Sequence, residues 1–342
     1  MTALPEQLQS AVDTALRRFP QQELARAVTR LIIRYRQGEA ATTPILVTPV
    51  DAAAYAGYRM PGTYAAVRSA LTEIARQLPD FAPRSLIDVG GGTGTAVWAA
   101  TDTWPSLGEL TVVEQAPEVV ALGRRLMAEA PRLRETVWQR GRIDPAAEAP
   151  RADVVTLSYV LGELPETTRA ATVRWLAQSA GLLVLIEPGT PAGYERIVRA
   201  RDELIGQERA VVAPCPHQRD CPIPPGQDWC HFSARLPRVG AHRVIKEGSL
   251  NFEDEKFSYV AVAGAGALGV EGSGGTGVVA GRAANRVLRH PVKRKGLVAL
   301  RLCTGVDGLA EVTVTKRHGA DYRAARDVEW GEEWAPSTPG HG

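Results

Sequence analysis

The sequence has little that would carry it into or across a membrane. No stretch of its 342 residues approaches the roughly 20 consecutive apolar residues of a membrane span. Residues 1–36 alternate charged with apolar residues and lack the apolar core of a secretory signal. A cytoplasmic location is expected, with no membrane partner. Charge of one sign is also missing. The net charge is +2, so no global field draws the chain to nucleic acid, and any such contact must come from local clusters. No cysteine precedes Cys215, and there are four in all. In a reducing compartment these are poor candidates for structural disulfides. What remains is ordinary for a globular protein, 44% hydrophobic and 23% charged.

Two phosphate-binding signatures fail at the most glycine-rich turn, which follows Ser85-Leu86-Ile87-Asp88-Val89. A dinucleotide G-x-G-x-x-G begun at Gly90 meets Thr95 where it needs glycine, and begun at Gly92 it meets Val97. No Gly-Lys-Ser/Thr closes a Walker loop. The pattern that is present, Asp88-x-Gly90-x-Gly92-x-Gly94 between an apolar strand and a helix opening at Ala96-Val97-Trp98, resembles motif I of class I S-adenosylmethionine (SAM) methyltransferases. The resemblance implies SAM held at Asp88, Gly90, Gly92 and Gly94. Glu114 ends a second strand one βα unit later, where an ionised acceptor takes both ribose hydroxyls. Asp144, after a short strand at Val137-Trp138, falls where an acid often faces the adenine amine. Ser158 ends a fourth strand, and Tyr159–Pro165 follows where many methyltransferases contact methionine and substrate. Acceptor motifs are absent: Ser158-Tyr159-Val160-Leu161 replaces Asp/Asn-Pro-Pro-aromatic, and no cysteine nucleophile lies near that strand.

The periodicity predicts helices over 5–37 with a break at Pro20, and over 52–78 with a break at Met60-Pro61-Gly62. Tyr55, Tyr58, Arg59, Tyr64 and Arg68 cluster at the second break, suited equally to stacking on a ligand or to a helix–helix contact. Strands at 85–89, 109–113, 153–158 and 182–186 alternate with helices, and Phe257–Ala263 supplies a sixth strand. The expected fold class is α/β, a doubly wound Rossmann-like sheet of the class I methyltransferase type. It carries a helical region at 1–80, a core at 81–264 with a cysteine-rich insertion at 211–235, and a glycine-rich loop at 265–281. A basic β-hairpin extension at 282–334 and a disordered tail at 335–342 complete the expected organisation.

Cys215, Cys221 and Cys230 have the spacing C-x5-C-x8-C in a proline-rich loop, with Cys303 far downstream. Metal ligation suits such cysteines. The wide gaps and Cys-Pro steps fit a 4Fe–4S cluster better than the tight knuckles of zinc sites, and His217 and His231 leave a mixed zinc site open. The sequence resembles the mitochondrial small-ribosomal-subunit methyltransferase-like family and its bacterial relatives. The shared residues are the motif I loop, Tyr58-Arg59-Met60-Pro61 with Tyr64, and Glu187-Pro188-Gly189. They continue with the segment ending in Trp229-Cys230-His231-Phe232, then Phe257-Ser258-Tyr259, the basic stretch before Cys303, and Trp330-Gly331. The resemblance implies that the four cysteines hold a 4Fe–4S cluster and that the chain acts on the small ribosomal subunit.

Arg282, Arg286, Arg289, His290, Lys293, Arg294 and Lys295 crowd ahead of a hairpin turning at Asp307-Gly308. The segment Arg282–Arg301 is therefore the candidate contact with 16S-type rRNA. The functions open to such a chain are an rRNA methyltransferase, a non-catalytic assembly factor in which SAM and the cluster support an RNA-binding fold, and a small-molecule methyltransferase. A monomer is expected.

Overall fold

Pro20 parts helix α1 (Glu6–Leu16) from α2 (Gln21–Gln37), as the periodicity predicts. Leu8, Val12 and Leu16 form the buried stripe of α1. Helix α3 (Pro49–Tyr58) opens on a reciprocal cap: Thr48 Oγ1 accepts from the Asp51 N–H and the Asp51 carboxylate accepts from the Thr48 N–H, each at 3.2 Å. Asp51 also pairs with Arg30 at 2.6 Å, tying α2 to α3. Helix α4 (Met60–Gln77) follows almost at once, and its small residues let it lie close against the core. In this computed structural model the described residues are 1–37, 46–149, 151–178, 180–238, 250–264 and 284–336. The glycine-rich stretch 265–281, Arg282 and residues 337–342 of the expected tail lie outside them.

The core then alternates: β1 (Ser85–Val89), α5 (Thr95–Thr103), β2 (Glu109–Glu114), α6 (Pro117–Met127), β3 (Val137–Arg140), β4 (Ala152–Ser158), α7 (Glu166–Ala177), β5 (Ala180–Pro188) and α8 (Pro191–Gly206). Three more strands complete the sheet, β6 (Ala210–Ala213), β7 (Phe232–Pro237) and β8 (Phe252–Ala263). The order is β3-β2-β1-β4-β5-β8-β6, with β7 also on β8. Strands β1 to β5 are mutually parallel. Strand β8 runs antiparallel to β5, β6 and β7. This is the class I methyltransferase sheet. The order reverses between β1 and β4, which opens a crevice at the carboxyl ends of these strands.

Two strands were not foreseen. Residues 211–213 and 232–235, expected in the insertion, belong to β6 and β7, so the insertion proper is the stretch between them. The expected sixth strand is longer than Phe257–Ala263 and reversed in direction. One apolar layer lies between the sheet and α1–α6, and a second lies under α7 and α8.

A separate small sheet follows: β9 (Asn285–Val287), β10 (Val292–Arg294), β11 (Leu297–Thr304) and β12 (Gly308–Thr315), then a tight turn at Lys316–His318 and helix α9 (Ala320–Asp327). Strand β11 pairs antiparallel with all three partners. Val298, Leu300, Leu302 and Val314 bury one face against Ala325, Val328 and Trp334.

Candidate functional site

Strand β1 delivers Asp88 to the crevice, 1% exposed. Its Oδ1 accepts from the Thr156 hydroxyl of β4 at 2.7 Å, and its Oδ2 has no partner. Burial pushes the Asp88 carboxyl up to about 7, with Thr156 opposing and the neighbouring Glu114 adding to the rise. Gly90, Gly92 and Gly94 are all left-handed, at φ +63°, +58° and +80°. At Gly90 a side chain would also meet Val160 Cγ2 at 2.8 Å, and at Gly94 it would strike Met127 Cε. Glu114 closes the loop onto β2: Oε2 accepts from the Gly92 N–H at 3.0 Å and Oε1 from the Ala116 N–H at 2.9 Å. Each oxygen keeps a further lone pair for a ligand hydroxyl.

Ser158 lies at the carboxyl end of β4, its Oγ buried and without a partner. Asp144 lies beyond β3, exposed, where its Oδ1 accepts from the Ala146 N–H at 3.0 Å. The structure thus brings Asp88, the three glycines and Glu114 together and sets Ser158 on the adjacent strand, while Asp144 caps a turn of its own.

The aromatic cluster at the α3–α4 break divides. Tyr55 faces the loop, its hydroxyl 3.5 Å from the Cβ position of Gly92. Tyr64 is buried and donates to Asp102, and Arg68 donates to Thr103 Oγ1 at 3.1 Å, so these two form a helix contact with α5. Sequence reasoning placed Tyr159 and Glu163 in the stretch after β4 without foreseeing their geometry, and it missed Glu255. Tyr159 holds φ +63°, a conformation that bulky residues rarely adopt. Its hydroxyl donates to Glu255 Oε1 at 3.2 Å, and the Arg59 guanidinium, 3.3 Å from the same carboxylate, sits 5.5 Å from the Tyr159 ring centre. Glu163 opens to solvent, yet the surrounding protein, then Glu114 and Glu187, push its carboxyl up to about 7. Trp138 of β3 fills the space against Gly94 and Gly123. The left-handed Tyr159 has no sequence signal.

The second site lies across the sheet. Cys215, Cys221 and Cys230 from the insertion and Cys303 from β11 line one cavity of about 40 Å³, and all four are free thiols. The loss of water pushes the Cys215 and Cys230 thiols up, and takes Cys303 to about 12; neighbouring sulfurs add to each rise. The Tyr194 hydroxyl is 3.1 Å from Cys221 Sγ, and His217 Nε2 is 3.4 Å from Cys303 Sγ. Among the described residues no three His, Cys, Asp or Glu side chains are grouped to hold a single metal ion. The sulfurs line a cavity; they do not converge on one point.

Around the cavity the basic segment departs from expectation. Arg286, expected among the candidate RNA contacts, is 1% exposed. It stands opposite Cys303 in the β9–β11 register and binds Glu73 Oε1 of α4 at 2.6 Å, Gly331 O at 2.8 Å and Pro214 O at 2.9 Å. Arg289 is taken up by Asp228 at 2.5 Å and Trp229 O at 3.0 Å. Both are turned inward because the strands they flank pack on the insertion. Exposed cations of this unit include Lys293, Arg294, Lys295, Lys316 and Arg317. The Lys316 N–H donates to Gly296 O at 3.1 Å, so two separate runs of charge meet at one end of the small sheet.

The chain is similar to known proteins in sequence and in structure. Human "Ribosome assembly protein METTL17, mitochondrial" is 32% identical over 303 residues, 83% of this chain and 62% of that protein. The "Rsm22-cox11 tandem protein 2, mitochondrial" of Schizosaccharomyces pombe is 24% identical over 346 residues, 84% of this chain and 43% of that protein. The chain therefore spans less than two thirds of the length of either. Among solved structures, magnesium protoporphyrin IX methyltransferase from Synechocystis PCC 6803 with bound SAM is similar at 12% identity with a TM-score of 0.39, covering 68% of this chain and 91% of that one. The family model described as "Mitochondrial small ribosomal subunit Rsm22" matches residues 49–335. That span takes in both the glycine crevice and the cysteine cavity, and the chain belongs to the Rsm22 family.

Proposed function

We propose that this chain is an assembly factor of the small ribosomal subunit, with SAM in the β1–β2 crevice and a 4Fe–4S cluster in the cysteine cavity, and that it acts by binding rRNA. It would work as a monomer in a reducing cytoplasm. The observation that carries the reading is that Cys303, on the basic small sheet, lines the same cavity as three cysteines of the core's insertion. One cofactor there would fix the orientation of the basic sheet on the methyltransferase core. The printed name of the human relative, a ribosome assembly protein, supports the partner.

Both cofactors fit the residues present. For SAM, the left-handed loop turns on glycines with no side chain of their own, Asp88 Oδ2 lacks a donor, and Glu114 has acceptor capacity to spare. Bound SAM supplies an electrophilic methyl group; the chain's own part is to orient it. For the cluster, four thiols around one cavity suit a multi-iron group better than zinc, whose sulfurs must all lie about 2.3 Å from one ion. The exposed cations from Lys293 to Lys295, with Lys316 and Arg317, face outward for phosphates. Arg286 and Arg289 are not part of that face.

The missing acceptor motif after β4 favours binding over methyl transfer as the main task. The test compares small-subunit rRNA from cells with and without the protein. Accumulation of immature small subunits with every methyl group retained is expected. A single methyl group that disappears on deletion, and is restored by purified protein with SAM, would establish the rRNA methyltransferase instead. Normal small-subunit maturation without the protein overturns the reading.

A further inference from the structure

Two of the four cavity thiols have a separate hydrogen-bond partner, each from a residue that is not itself a cysteine. The Tyr194 hydroxyl on α8 is 3.1 Å from Cys221 Sγ, and His217 Nε2 is 3.4 Å from Cys303 Sγ. The Arg201 guanidinium on α8, 2% exposed, lines the same cavity and donates to His217 O at 3.2 Å and Arg219 O at 2.5 Å. A metal-bound thiolate can only accept, so the tyrosine hydroxyl must donate and His217 must carry its proton on Nε2.

Charge follows the same pattern. A dicationic 4Fe–4S core held by four thiolates has two net negative charges, which are costly in a buried cavity unless compensated. Two guanidinium groups line the cavity. Arg286 is already matched by buried Glu73 at 2.6 Å. Arg201 forms an ion pair with Asp202, which is 54% exposed, and its buried Nε has no hydrogen-bond partner. Among the guanidinium groups lining the cavity, Arg201 is therefore the one whose charge is not matched by a buried carboxylate.

We propose that Tyr194 and His217 are positioning residues that hold thiolate ligands of the cluster, each through a different sulfur, and that with the buried charge of Arg201 beside them they raise its reduction potential. The inference rests on the cluster reading under the proposed function. A hydrogen bond to a ligand sulfur draws negative charge from it, so the one-electron-reduced, more negative core gains more than the oxidised core. The site is on this account built to make the reduced state accessible.

The test uses the full chain purified without oxygen. Iron and sulfide are assayed first. The cluster is then titrated with dithionite as the electron donor, and iron–sulfur stretching bands are recorded in H2O and D2O. Tyr194→Phe removes one hydroxyl; its expected result is unchanged iron and sulfide, a more negative midpoint and loss of a deuterium-sensitive band. His217→Leu should act in the same direction, while His217→Gln, which keeps a donor, should stay near the wild type. Loss of the cluster from both donor-less variants, with retention in His217→Gln, also supports the assignment. Iron-loaded Tyr194→Phe and His217→Leu proteins with the wild-type midpoint and bands overturn it and leave the cluster reading intact. A wild-type chain free of iron overturns both.

Discussion

At the scale of single residues, Asp88 carries the most chemistry. Its carboxyl is raised from 3.8 to about 7 by burial, so the free folded chain holds a proton there that the unfolded chain releases. Stability of the free chain should therefore fall as pH rises from about 4 to about 7. A cationic ligand favours the ionised form, so SAM binding should release a proton near neutrality, and its affinity should rise up to about pH 7 and level off above. Calorimetry in two buffers of different ionisation enthalpy measures the proton directly. Identical heats in both, or an Asp88→Asn variant with the same pH slope, would count against Asp88 as the coupled group. Gly123 offers a packing test. A methyl group there would run into the Trp138 ring, so Gly123→Ala should cost about 1–3 kcal/mol in denaturant unfolding. Retained stability would show that Trp138 has room to move.

At the scale of elements, the buried pair Glu73–Arg286 joins α4 to β9 and, through Pro214, to the cysteine insertion. Arg286→Ala leaves the Glu73 carboxylate without this partner in the core and should cost about 3–5 kcal/mol. Replacing both with apolar residues of similar volume should recover most of the stability; no recovery would mean that the cost lies in the backbone carbonyls that Arg286 no longer satisfies. These same elements show where sequence reasoning ends. Helices α1–α7 and strands β1, β2, β4 and β5 were legible because each repeats an apolar period long enough to fix its type. Strands β6 and β7 were not, being short and separated by a proline-rich stretch. The direction of β8 depends on which neighbour it reaches, and no local pattern encodes that. Arg286 reads as one more cation in a basic run; only the register that sets it opposite Cys303 turns it inward. The crevice residues Asp88 and Glu114 were legible because their place at strand ends follows from the alternation of strand and helix. Of the groups on the sulfurs, His217 was legible as a neighbour of the cysteines in the insertion, whereas Tyr194 comes from α8 and spacing gives no hint of it.

At the scale of the whole molecule, two cores meet at the cysteine cavity. Stripping a cofactor from it with a chelator should loosen β9–β12 while β1–β5 stay protected, because only Cys303 comes from the small sheet. Hydrogen exchange reads both regions at once; uniform protection after chelation would sink the idea that the cavity joins them. Reversing charge at the exposed end of that sheet, Lys295→Glu with Lys316→Glu, should weaken rRNA binding and lower its salt slope by about one for each phosphate no longer neutralised. Binding with an unchanged slope would move the RNA interface elsewhere. The position of Cys303 has one more consequence, for the order of events during synthesis. Three thiols leave the ribosome with the insertion, and the fourth follows only after the last strand of the core has formed and the small sheet has begun. The cavity cannot be completed on a chain that stops short of β11, so a cofactor that needs all four sulfurs would mark molecules that reach Cys303 and pass over shorter ones.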